Sequence, residues 1–133
     1  MKKYTRSQLR EIIMIILYQI NVYQTNKISF DLEKVIDSNI EVENEFVKET
    51  TFGVYTYQKE IDKIANKHLK DWTINRFAFP DQAILRIAIY ELLYTETPEI
   101  VVINEAVELA KKYSDDEVRK MINGVLDKIY HEK

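Results

Sequence analysis

The sequence predicts an all-α fold, a compact bundle of about six or seven helices. Three observations carry that expectation. Only two glycines and two prolines punctuate 133 residues, whereas a β-rich chain needs a turn every 8–12 residues or so. Apolar residues recur at steps of three and four along most of the chain. They make up 46 % of it, enough for one core in one domain of this length without disulfides.

The elements follow in order. In residues 5–24, Leu9, Ile12, Ile13, Ile16, Leu17, Ile20 and Tyr23 form one face of an amphipathic helix, with Thr5 or Ser7 as its cap. A short helix is expected over Asp31–Asp37, capped by Ser29. Over 43–69 the stripe Phe46, Thr50, Val54, Tyr57, Ile61, Ile64 and His68 predicts one long helix. Residues 72–79 link it to a helix over 80–95 that is apolar almost all round, and such a helix is surrounded by others. Pro80 suits its first turn.

The segment PEIVVINEAVELAKKYS (98–114) opens on a β-branched run that would suit a strand. Two stripes nevertheless pass through it in phase: Ile100, Ile103, Val107, Ala110 and Val102, Ala106, Leu109, Tyr113. The prediction is therefore one helix packed on two sides, with Thr97 as cap and Pro98 in its first turn. In the last helix, Ser114 and Glu117 match a capping box, and Val118, Met121, Ile122, Val125, Leu126 and Ile129 point inward. Arg86, Glu91, Asn104, Glu105, Asn123 and Asp127 are expected as a buried polar network, and Gly124 as a point where helices cross.

Chemistry is sparse. There is no cysteine, so disulfides, thiolate metal sites and a cysteine nucleophile are excluded. The two histidines, His68 and His131, lack a ligand-spaced partner, and no glycine-rich phosphate loop or nucleophile elbow occurs. Neither enzyme activity nor a metal or cofactor is expected. The longest apolar run, Ile12–Leu17, is too short to cross a bilayer and no signal peptide is read, so a cytoplasmic protein is expected. Net charge is −3, but residues 1–10 hold Lys2, Lys3, Arg6 and Arg10 and no acid. The positive field is local, at one end of the molecule.

The runs ILRIAIYEL (84–92), INEAVELAKKY (103–113) and INGVLDKI (122–129), with REIIMIILYQ (10–19) before them, resemble the NusB family of bacterial transcription antitermination factors. The likeness spans nearly the whole chain in order and spacing, and is to a free-standing member rather than to the NusB-like domain fused to RNA methyltransferases. It implies two three-helix subbundles and a non-enzymatic role. The implied partners are the ribosomal protein NusE, single-stranded boxA RNA of nascent ribosomal RNA transcripts, and the RNA polymerase antitermination complex. The resemblance places RNA on Lys2, Lys3, Arg6 and Arg10, with Ser7 and Gln8 standing where the family often has arginine. It adds Glu117, Lys120 and Met121 on the last helix, although Met121 fits the core stripe equally. It places NusE on Tyr18 and Asp81. A helical interaction module or a homodimer that masks its RNA surface is the alternative.

Overall fold

A computed structural model describes residues 3–133. Among the described residues there are six α-helices: α1 Arg6–Thr25, α2 Leu32–Asp37, α3 Glu45–His68, α4 Phe79–Tyr94, α5 Glu99–Tyr113 and α6 Asp116–Glu132, with a 3-10 turn at Ile74–Arg76. No strand occurs among the described residues, so Ile100–Ile103 is helical. Within α1–α3 every helix touches the other two, and the same holds within α4–α6. These are two three-helix subbundles, joined chiefly where α4 lies on α1 and α3.

Helix α4 is the axis of the molecule because nearly every face of it is apolar. Ala83 through Ile89 are all buried, and Leu85 and Leu92 are at most 1 % exposed. Of the three charged residues on α4, Asp81, Arg86 and Glu91, the last two are matched by ion pairs from opposite sides. Arg86 donates to Asp62 of α3 through Nε and Nη2 at 2.8 and 2.9 Å, while Glu91 accepts from Arg10 of α1. Each of these two buried charges has a close opposite charge, without which its burial would cost several kcal/mol. At the far end of α3, His68 meets Glu132 at 2.7 Å, which fastens the end of α6.

The helix ends differ from expectation in several places. Thr5 caps α1 in a full capping box with Gln8, which explains why Gln8 suits that position. Asp31, not Ser29, caps α2. Asp115, not Ser114, caps α6 by accepting from the Val118 amide; Ser114 ends α5 and donates to Asp81 instead. Pro98, not Thr97, occupies the cap of α5, and the Thr97 hydroxyl turns to Glu91 at 3.4 Å.

The polar network is also smaller than expected. Arg86 and Glu91 are buried and Glu105 is partly so, but Asn104, Asn123 and Asp127 lie exposed. Helix α5 buries one strip, Val102, Ala106, Leu109 and Ala110, and leaves Ile100 and Tyr113 outside. Gly124 is no crossing point, since a Cβ there would meet nothing within 4 Å. Among the described residues no helix is long and apolar enough to cross a membrane.

Candidate nucleic-acid interface and partner surface

The basic end is built where the first turns of α1 meet Phe46 at the start of α3 and Glu105 in the middle of α5. Lys2 lies outside the described residues, and Lys3 is exposed. Arg6 is exposed and sets its guanidinium 4.1 Å above the Phe46 ring of α3. A cation over an aromatic face keeps its charge available to solvent while the side chain is held in place. No ion pair of Arg6 occurs among the described residues.

Arg10 departs from expectation. It is 4 % exposed, and its guanidinium is committed to Glu91 through Nε and Nη2, both at 2.8 Å. Its Nη1 reaches Glu105 at 3.3 Å. Burial works against the charge, but Glu91 and Glu105 together outweigh it and raise the pKa. With its donors spent on two carboxylates, Arg10 is a support for the basic end and not one of its free cations. Ser7 also donates to Glu105, at 2.6 Å.

One turn further on, Glu11 accepts from Lys112 at 2.8 Å and from the Tyr113 hydroxyl, so the end of α5 is tied to α1. The hydrogen bonds from Lys112 and Tyr113 hold the Glu11 carboxyl below its ordinary range, against partial burial. Between α1, α3 and the α4–α5 turn runs an open groove of about 430 Å³, lined by Arg6, Phe46, Glu49, Tyr90, Val101 and Glu105 among others.

On α6, Glu117 and Lys120 are exposed and Met121 is half-buried against the core. Met121 faces a shallow hollow shared with His68 and Leu69. Phe46 and His68 mark the two ends of α3, and 22 residues of helix rise about 33 Å. The fold therefore does not bring Met121 and Arg6 together; they sit toward opposite ends of α3.

The two residues assigned to a protein partner also part company. Tyr18 is 41 % exposed and meets Phe79 edge-on, with ring centroids 6.0 Å apart. Asp81 is only 6 % exposed and accepts from Ser114, so its carboxylate faces the α5–α6 junction and not solvent. Burial raises the Asp81 pKa; the Ser114 hydrogen bond opposes this and nearby Asp115 adds to it. Phe46, Glu105 and the Glu11–Lys112–Tyr113 tie were not singled out as site residues from the sequence. Each depends on partners far away in the chain, which leave no local signal.

A small all-helical bundle that displays its charged and aromatic groups on helix ends, outside the core, has the build of a binding adaptor. Comparison with known proteins makes the class specific. The NusB family model matches residues 7–131. The chain is similar to the transcription antitermination protein NusB of Macrococcus caseolyticus (strain JCSC5402), 43 % identical over 131 residues, covering 97 % of this chain and 98 % of that relative. In structure it is similar to T. maritima NusB, with a TM-score of 0.84 and 31 % identity over 98 % of this chain and 94 % of that one. It also resembles a chain from a crystal structure of the antitermination factors NusB and NusE in complex with dsRNA, with a TM-score of 0.82 and 25 % identity over 96 % and 97 % of the two chains. The chain belongs to the NusB family.

Proposed function

We propose that this protein is a cytoplasmic transcription antitermination factor that binds boxA RNA of nascent ribosomal RNA transcripts together with ribosomal protein NusE. It works as one domain over residues 1–133, joins the RNA polymerase antitermination complex and catalyses no reaction. The observation that carries this reading is the family match over nearly the full chain. The neighbour solved with NusE and RNA, at nearly complete mutual coverage, supports it.

In this reading Lys2, Lys3 and Arg6 neutralise phosphates, and Glu117, Lys120 and Met121 make a separate contact further along the strand. Tyr18, exposed beside Phe79, faces NusE. Asp81 acts indirectly, by holding Ser114 and the α5–α6 junction. A gel shift of a boxA-bearing leader RNA, with and without the host NusE, tests the whole. A shift that NusE strengthens is expected; no shift in either case overturns it. In calorimetry, Tyr18→Ala should weaken NusE binding without moving the melting temperature, whereas unchanged affinity places the partner elsewhere.

A further inference from the structure

We infer that the groove beside Arg6 is a base-reading slot, in which one unstacked guanine of the bound RNA lies against Tyr90 and gives its Watson–Crick N–H groups to Glu49. The inference rests on the RNA-binding reading above and goes beyond it, to one base and one acceptor. Three features of the groove point to it.

The first is an unspent carboxylate. Two acids line the groove, and Glu105 is engaged by Arg10 and Ser7. Glu49 is exposed and has no hydrogen bond or ion pair among the described residues. Its field adds to burial in pushing the Tyr90 hydroxyl pKa up. On a surface that takes a polyanion, a free acid repels phosphates. It becomes favourable where it accepts N–H groups from a base edge, and unstacked RNA bases expose that edge. Guanine alone offers two adjacent donors, N1–H and N2–H, to match the two oxygens of a carboxylate.

The second is flat surface on two sides. Arg6 over Phe46 makes one wall, and both a guanidinium plane and an aromatic ring stack bases. Tyr90 makes the other. Its ring is fixed by stacking on Tyr94, with centroids 5.6 Å apart, and by lying over Gly53, where any Cβ would collide with it. The third is apolar: Val101 is 38 % exposed at the groove, surface that a base would cover. The volume of about 430 Å³ falls in the range of ligand clefts. Arg6 at the mouth meets the phosphate.

The test uses the complex with NusE and two forms of a boxA-bearing leader RNA, one natural and one with each guanine in turn replaced by inosine. Inosine keeps N1–H and lacks the N2 amino group. At one position the replacement should weaken binding about tenfold, within the range of a lost bidentate base contact. Glu49→Gln should weaken the natural RNA by a similar factor and erase the difference between guanine and inosine, with the salt dependence unchanged. If Glu49→Gln instead tightens both RNAs equally, the carboxylate only repels phosphate and the slot is overturned. If Glu49→Gln weakens NusE binding with no RNA present, the groove docks protein and the base assignment falls. If the wild-type complex binds no RNA of either kind, the parent reading fails and takes the slot with it.

Discussion

Arg10 and Glu91 stand 81 residues apart in the chain and meet in a two-pronged ion pair, with both N···O distances at 2.8 Å and side chains 5 % and 2 % exposed. The pair joins the two subbundles, α1 to α4, directly under the basic end. Desolvation removes much of the Coulomb gain of such a pair, so its net contribution is modest. Breaking it is another matter, because the remaining buried charge then keeps only its weaker partner: Glu105 at 3.3 Å for Arg10, or the Thr97 hydroxyl at 3.4 Å for Glu91.

Glu91→Ala should therefore destabilise the protein by about 3–5 kcal/mol, while Arg10→Met with Glu91→Leu should regain most of that loss. Urea unfolding of the three proteins checks this. A double variant as unstable as Glu91→Ala would mean that the site needs the charges and not merely their mutual cancellation.

The two glycines make a paired experiment. Both lie inside helices, where glycine is about 1 kcal/mol worse than alanine. Nothing stands near Gly124, so Gly124→Ala should stabilise by roughly 0.5–1 kcal/mol. A methyl on Gly53 would collide with the Tyr90 ring, and Gly53→Ala should destabilise by roughly 1–3 kcal/mol as overpacking does. Thermal unfolding should separate the two in opposite directions. A loss of stability at Gly124→Ala would restore the crossing point that the sequence suggested.

How far the sequence could be read follows from which interactions are local. Helix α4 was legible because its apolar residues leave no polar face, and α5 because its stripes keep phase through Asn104. Caps were legible only to within a residue or two: Thr97, Ser114 and Ser29 are all good cap types, and tertiary partners decided among neighbours. Ser114 was drawn to Asp81, which left Asp115 to cap α6. Asn104, Asn123 and Asp127 were expected inside because they share helices with core residues, but the buried strips of α5 and α6 are narrower than the helices. From the sequence, Arg10 is a free cation beside Arg6. Two distant acids, Glu91 and Glu105, make it otherwise.

Glu11 gives a pH test of the tie between α1 and α5. Lys112 and Tyr113 lower its folded pKa below the unfolded value, so the unfolded chain binds the proton more readily. The tie's stabilisation is then fully present above the unfolded pKa and is lost as pH falls through the lowered folded pKa. Glu11→Gln should be less stable than wild type at neutral pH, and the two should converge in acid below the ordinary carboxylate range. Urea unfolding along a pH series measures the gap, and a gap that stays constant into acid would show that Glu11 contributes by packing alone.

The last prediction separates Arg6 from Arg10. Each phosphate neutralised on a single strand contributes about −0.7 to the slope of log affinity against log salt. Counting Lys2, Lys3, Arg6 and Arg10 as free cations makes the N-terminal end's share of the slope near −3, whereas withdrawing the buried Arg10 leaves a share of roughly −2. Arg6→Ala should weaken RNA binding and flatten the slope by about 0.7. Arg10 cannot be tested alone, since its loss strands Glu91 in the core, so the Arg10→Met and Glu91→Leu pair is the proper variant. It should bind RNA with the wild-type slope, because no phosphate contact has been removed. Titrations of both variants with a boxA-bearing RNA in the presence of NusE, over a range of salt, decide the matter. A slope flattened as much by the paired change as by Arg6→Ala would mean that Arg10 leaves Glu91 when RNA arrives, and the ion pair would then be part of the binding surface.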